Sequence, residues 1–349
     1  MNANVISFGC LNTQLAKDQT KVVLDRLQEV SPRLAGRLEI VASPVLPEQL
    51  AASSFLVADA AEVEFIQTQL LSGAFRLAVL CAQDLTLPLC DGVRIVAVPP
   101  RDTPFDAFLT RQSLIIDDMP EGSVIGVLNL RSRTQMQALW PGLVFRQLRG
   151  GMQSALEALL RRCELDGLVA PAAVVEHLGL QGIVAEIFNP ELILPSGGQG
   201  ILAVLGRADD SEIAALLAPL HSEPTERELA AEFAFLQRFA RDLELPVGVL
   251  ARCTDDGLTV SSAVGSDAGA LASLQQREGP AEQAAVLGIE LAEAILAHDD
   301  ALIGLLEADF PEGLPADDDE QDQDQDQDPD LAVLKEYLEL DGEPPNQND

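Results

Sequence analysis

LAVLCAQDLTLP, residues Leu77–Pro88, is the stretch on which the fold turns. It opens with an uninterrupted apolar run of strand length, Leu77–Leu80, and breaks into a polar turn carrying Gln83 and Asp84. A strand apolar on both faces reads as the interior of a parallel sheet with helices above and below it. Working outward, the same alternation recurs. Toward the N-terminus lie strand Val5–Phe8, an amphipathic helix over Gln14–Val30, strand Leu38–Val41 and helix Ala61–Leu71. Toward the C-terminus come strands Val93–Val98 and Val124–Leu128. Strands alternating with helical patterns predict βαβ units.

From Gly122 a similar unit starts again: a strand, a helix from Arg133 to about Leu139, strand Leu143–Gln147, helix Met152–Cys163 and strand Gly167–Ala170. Two successive α/β units predict two lobes with a cleft between them, and Pro99–Thr110 reads as the crossover. A third region opens at Thr225, an N-cap residue with Glu228 three positions later in a capping-box pattern. Leu229, Phe233, Leu236 and Ala240 follow at helical spacing, then strands Val247–Arg252 and Leu258–Val264 and a helix from about Ala281 to Ala297. The division expected is residues 1–99 with 200–220 as lobe 1, 100–199 as lobe 2, 221–308 as a small C-terminal α/β domain, and 309–349 as a tail. In that tail ADDDEQDQDQDQDPD is low-complexity and self-repelling, which predicts disorder. DLAVLKEYLEL beyond it has the pattern of a short amphipathic helix, either solvated or docked on a protein partner.

The 349 residues carry a formal net charge of −34 and only three lysines, Lys17, Lys21 and Lys335. Nucleic acid and anionic membrane surfaces both require a field of Lys and Arg, so neither is an expected partner. From Glu312 to Asp349 acids outnumber bases fifteen to one. The body stays acidic without that segment, which a salt-adapted surface would explain. The cysteines (Cys10, Cys81, Cys90, Cys163, Cys253) form no CxxC pair, and neither they nor His177, His221 and His298 fall at metal-ligand spacing, so no metal is expected. No basic leader followed by an apolar run opens the chain, and no apolar stretch is long enough to span a bilayer. The reading is a cytoplasmic monomer with reduced thiols. GGQG after Pro195 lacks the following helix and acidic partner of a nucleotide loop.

Five segments in order resemble the porphobilinogen deaminase (hydroxymethylbilane synthase) family from about residue 5 to residue 305. LAVLCAQDLTLP resembles that family's A-V-H-S-x-K-D-x-P strand and loop, and PFDAF (Pro104–Phe108) its P-R-D-A-F. GSVIGVLNLRSR (Gly122–Arg133) resembles G-S-x-x-G-T-S-S-L-R-R, VFRQLRGGM (Val144–Met152) the R-x-L-R-G-N turn, and LPSGGQG (Leu194–Gly200) L-P-A-x-G-Q-G. The resemblance implies two lobes like those of periplasmic binding proteins and a third α/β domain. It also implies an enzyme that joins porphobilinogen units head to tail with loss of ammonia, on a dipyrromethane primer tethered to a cysteine. A growing polycarboxylate needs guanidinium forks to hold it. The departing amine needs an acid that, once ionised, stabilises the cation left behind.

By that resemblance Asp84 stands at the catalytic aspartate, either retained as an acid or kept as a relic bonded to backbone amides. Arg131, Arg149, Gln199, Asn129 and Thr13 stand at substrate- or cofactor-binding positions; Arg131 and Arg149 have an alternative reading as structural partners of Asp106 or Asp84. Other positions depart from the pattern. Leu11, Ser132, Ala155 and Glu176 stand where arginines are expected, Gln83 where a lysine is, and Asp59 and Glu62 where a lysine and a phenylalanine are. The cofactor loop reads RDLELPVG (Arg241–Gly248), which puts Leu243 at the attachment cysteine. Leucine cannot form the thioether, and Cys253 lies ten residues beyond. Each lost charge-assisted bond would cost roughly 1.5–3 kcal/mol of binding. The expectation is therefore a family member without ordinary turnover and without the dipyrromethane, whose cleft takes a less anionic small molecule. The alternatives are an active synthase holding its primer non-covalently, and an interaction protein working through its acidic tail.

Overall fold

The computed structural model describes residues 5–43, 60–85, 87–148, 151–239, 246–265 and 271–298. The first lobe is built from β1 (Ile6–Cys10), α1 (Gln14–Val30), β2 (Leu38–Ala42), α2 (Ala60–Ser72), β3 (Leu77–Cys81) and β4 (Val93–Ala97). The chain then enters the second lobe: β5 (Asp106–Leu109), β6 (Val124–Val127), α3 (Leu130–Leu139), β7 (Val144–Gln147), α4 (Gly151–Leu160), β8 (Gly167–Pro171), α5 (Ala172–His177) and β9 (Val184–Ile187). It returns through β10 (Leu202–Arg207) and α6 (Ser211–Leu217). The third unit comprises α7 (Glu223–Phe239), β11 (Val247–Thr254), β12 (Gly257–Gly265), β13 (Leu271–Gly279) and α8 (Ala284–His298). The fold is α/β, with two mixed sheets and a small antiparallel third one.

Sheet order in lobe 1 is β2-β1-β3-β10-β4, and in lobe 2 β7-β6-β8-β5-β9. In each lobe the first three strands are parallel, and one strand (β10 or β5) runs against its neighbours. The apolar run of β3 is buried throughout for the reason its sequence suggests. Leu77, Val79 and Cys81 meet Val23, Leu24 and Leu27 of α1, while Ala78 and Leu80 meet Val63, Ile66 and Leu70 of α2. Each such side chain, fully buried, contributes roughly 1.5–3 kcal/mol. The segment 99–110, expected as a plain crossover, contains strand β5, whose Ala107, Phe108 and Leu109 lie wholly inside lobe 2.

The two chain crossings between lobes are tied together where Asp102 N–H donates to Gly200 O at 2.8 Å. The lobes also touch directly, because Leu15 of α1 packs into the lobe 2 core with Val174 and Val175 of α5. The third sheet rests one face on α7 and α8, through Val249, Val260, Phe235 and Leu291. Leu250 and Ala263 on its other face cover Leu194, with Phe105 alongside. The expected capping box at Thr225 is displaced. α7 begins earlier, Ser222 Oγ accepts from Thr225 N–H at 3.4 Å, and Thr225 Oγ1 accepts instead from Arg101 N–H at 3.1 Å. Glu228, freed of that role, accepts from Cys253 N–H at 3.0 Å. The acidic tail, with its DLAVLKEYLEL segment, lies outside the described residues.

Candidate functional site

In an open α/β sheet, ligands sit beyond the carboxyl ends of the strands where the winding direction reverses. Lobe 1 reverses between β1 and β3, and lobe 2 between β6 and β8. The first point is flanked by the start of α1 and by the turn Ala82–Asp84; the second by the start of α3 and by Pro171 leading into α5. By that rule a crevice between the lobes would lie at these two strand-end edges, and of the candidate residues Thr13, Asp84, Asn129 and Arg131 stand on them.

Thr13 and Asn129 are both there, and both are occupied as helix caps. Thr13 Oγ1 accepts from Ala16 N–H at 3.2 Å, and Asn129 Oδ1 from Ser132 N–H at 2.7 Å. Each satisfies an amide that the helix cannot, a contribution of about 1 kcal/mol.

Arg131 is only 4% exposed and bonded through all three guanidinium nitrogens. Nε donates to Ser196 Oγ (3.2 Å), Nη1 to Leu194 O (2.7 Å), and Nη2 to Asp106 Oδ2 and Ser132 Oγ (both 2.7 Å). The other Asp106 oxygen accepts from Gln199 Nε2 at 2.8 Å, and Gln199 is wholly buried. Arg131, Asp106 and Gln199 thus form one interior network that pins α3 to both crossings between lobes. Of the two readings of Arg131, pairing with Asp106 is the one the structure contains.

Asp84 differs from these. Its side chain is partly exposed, yet Oδ2 is enclosed and has no hydrogen-bond partner, and the same holds for Nε2 of the adjacent Gln83. Burial pushes the carboxyl up to about 8, with the charge of Glu62 in the first turn of α2 adding to it. The Gln83 amide pulls the other way but lacks the alignment to hold the ionised form. Asp84 is therefore a protonated acid at neutral pH, and the relic reading, in which backbone amides hold a carboxylate, does not describe its Oδ2. The turn is held from behind by the GGQG segment. Gly198 has φ +78, and a Cβ there would lie 2.8 Å from Ala82 C and Gln83 N.

At the other departures Ser132 and Ala155 are buried, and Ser132 receives Arg131. Glu176 points to solvent; its neighbour His177 turns inward and meets Asp102 at 3.2 Å. Arg149, Leu243 and Asp59 lie outside the described residues. Cys253 sits at the far end of β11 against Glu228 and Pro224, six residues and about 20 Å from that strand's start.

Sequence reasoning missed one buried charge cluster. Glu232 of α7, with no exposed surface, accepts from Arg101 Nη1 (2.6 Å), Gly198 N–H (2.6 Å) and Ala251 N–H (2.8 Å), and so joins the third domain to the back of the site. Its signal was available: a lone acid in AAEFAF, on the face that also carries Leu229 and Phe235. Among the described residues no cluster of three or more His, Cys, Asp or Glu could hold a metal, and no helix is long and apolar enough to cross a membrane.

Residues 6–215 match the family model for the dipyrromethane cofactor-binding domain of porphobilinogen deaminase. The porphobilinogen deaminase of Roseiflexus sp. (strain RS-1) is 33% identical over 292 residues, 83% of this chain and 95% of that protein. The Thermus thermophilus enzyme is 33% identical over 293 residues, 84% of this chain and 95% of its own. Among solved structures, an arginine transport periplasmic binding protein from Legionella pneumophila aligns with 62% of this chain and 91% of its own at 12% identity and a TM-score of 0.36. The match to the cofactor-binding domain corrects the expectation that no cofactor is involved: the family carries dipyrromethane. Part of this chain suits that group, since Asp84 Oδ2 is an unmet acceptor of the kind a pyrrole N–H requires.

Proposed function

Because the chain belongs to the porphobilinogen deaminase family, we propose that its interlobe crevice binds pyrroles of the family's kind without a covalent tether at position 243. It sustains the family's polymerisation, on this reading, only far below an ordinary rate. The observation that carries the reading is the state of Arg131. Four of its five N–H donors are already bonded inside the protein and the side chain is 4% exposed, so the arginine expected to receive a ligand carboxylate has no paired donors to offer it. Leu243 adds the second half, because its side chain has no sulfur to bond a primer.

Bound dipyrromethane would supply the pyrrole end to which a first unit is joined. Asp84 would accept its N–H groups, and Arg149 is the remaining arginine for its carboxylates. Asp84 also favours the second reading, an active synthase with a non-covalent primer. A carboxyl titrating at about 8 is protonated at neutral pH and can hand its proton to a leaving amine. The carboxylate so formed then lies beside the cation.

Porphobilinogen consumption, measured beside the Thermus thermophilus enzyme, separates the two. A rate lower by about a hundred-fold or more supports the first reading, and a comparable rate ends it. Intact mass spectrometry before and after denaturation tests the tether: a pyrrole adduct that survives denaturation would contradict non-covalent binding. If the second reading holds, Asp84→Ala abolishes whatever turnover remains.

A further inference from the structure

α1 of lobe 1 and α5 of lobe 2 meet through Leu15, Val174 and Val175. A chain of polar contacts joins the same two helices. Arg26 of α1 reaches the first crossing at two points: its guanidinium donates to Pro100 O at 3.3 Å and pairs with Asp102 Oδ1. The other Asp102 oxygen lies 3.2 Å from Nε2 of His177, which ends α5. The His177 side chain is 7% exposed and that of Asp102 15%, so this is not a solvated surface pair of negligible worth. Lobe 1, the crossing and lobe 2 are linked in series through one carboxylate.

The crossing itself is anchored elsewhere. Arg101, next to Asp102, donates from its backbone N–H to Thr225 Oγ1 at 3.1 Å, and from its guanidinium to Gln199 O at 3.0 Å and Glu232 at 2.6 Å. Asp102 is thus held in place while α1 and α5 grip it from either side, and a movement of one lobe against the other is absorbed at its carboxylate. The grip is not fully satisfied. Burial alone would raise the Asp102 carboxyl, but hydrogen bonds from His177 and Arg26 outweigh it and hold the group below the usual carboxylate range. Asp102 is therefore an ionised acceptor, and Nε2 carries a proton to meet it. In the neutral ring Nδ1 is left as a bare acceptor, enclosed without a donor, and its lost hydration opposes the closed arrangement. The Arg131–Asp106–Gln199 network differs, since it leaves no enclosed side-chain atom unpartnered.

We propose that Arg26, Asp102 and His177 form a releasable latch between the lobes. Closed, it is held by two bonds to an ionised carboxylate and by the burial of Leu15 against α5. Open, it gives Nδ1 of His177 back to water while Arg101 keeps the crossing in register. The latch therefore sets how often α1 and α5 part, whatever the crevice between the lobes binds. Because its members act in series, breaking either link releases it, and breaking both releases it no further.

Amide hydrogen exchange of the full chain, read by mass spectrometry, tests this with His177→Phe, Arg26→Met and the double variant. Phenylalanine fills the place of the imidazole without a donor, and methionine keeps the stem of Arg26 without its charge. Each single variant should exchange about ten-fold faster in both α1 and α5, with the strands of the two sheets protected as in wild type. The double variant should exchange no faster than the quicker single one. Acceleration confined to the helix that carries the substitution would show local fraying and overturn the latch. So would acceleration spread over every strand in step with a lower melting temperature, which is what a purely structural role produces. Effects that multiply in the double variant would mean two independent contacts, and unchanged exchange would mean none that matters; either result sinks the proposal. Should His177→Phe not fold, Arg26→Met decides by itself, because it must quicken α5, a helix of the other lobe that Arg26 reaches only through Asp102.

Discussion

Asp84→Asn should make this protein more stable, increasingly so as pH rises. The carboxyl titrates at about 8 in the folded chain against an ordinary value of 3.8, because burial first, and Glu62 second, disfavour the anion. Above pH 3.8 the unfolded chain has released this proton, while the folded chain keeps it until about pH 8. The folded state therefore binds more protons through that window, and stability falls as pH increases across it. About three pH units of the window lie between pH 5 and pH 8. At 1.36 kcal/mol per unit the ceiling is about 4 kcal/mol. Local relaxation and water entry reduce this to about 2–3 kcal/mol. Asparagine has nearly the same shape and no proton to lose. Urea unfolding of both proteins at pH 5 and pH 9 measures the difference, and other titrating groups cancel in it. The advantage of Asp84→Asn should widen by about 2–3 kcal/mol between the two pH values. A gap that stays constant within about 0.5 kcal/mol would show that Asp84 is solvated and ionised, and would remove the proton-donor argument with it.

The interior ion pairs give three further expectations. Arg131→Met leaves Asp106 buried and unpaired and should cost about 3–5 kcal/mol in chemical unfolding; a cost below 1 kcal/mol would mean the network is not closed as described. Glu232→Ala removes acceptors from Arg101, Gly198 and Ala251 together, with a similar loss of about 3–5 kcal/mol and the third domain, followed by hydrogen exchange at β11, opening first. Gly198→Ala places a methyl 2.8 Å from the backbone of Ala82 and Gln83 at φ +78. It should lower the melting temperature and shift the titration of Asp84, whereas an unchanged carboxyl titration by carbon-13 NMR would separate the GGQG turn from the site.

The two lobes were legible because strand burial is local information. Leu77–Leu80 is apolar at every position, and only a sheet covered on both faces buries such a run. β5 escaped notice because Asp106 begins it, and the reason an acid can start a buried strand is Arg131, on another helix and 25 residues away in sequence. Among the described site residues, Thr13, Asn129 and Arg131 carry structural hydrogen bonds that the sequence does not display. Thr13 and Asn129 fit a helix cap as well as a ligand contact, and nothing in a linear sequence tells an oxygen facing its own helix from one facing a crevice. The bond between His177 and Asp102 is equally invisible in the sequence, because it joins residues 75 positions apart.

That contrast bears on what Asp84 is for. Arg131, Gln199, Thr13 and Asn129 each complete hydrogen bonds that the fold would otherwise lack, so the presence of each is accounted for without any ligand. Asp84 completes none at Oδ2. Its carboxyl is disfavoured by burial and by Glu62, and an amide in its place would leave the folded chain more stable at neutral pH. A group that weakens the structure holding it acts on something other than that structure. An enclosed oxygen without a hydrogen-bond partner, on a carboxyl that burial holds in its protonated form and at the reversal point of the lobe 1 sheet, suits the ligand proposed above, one that brings N–H groups and takes up a proton.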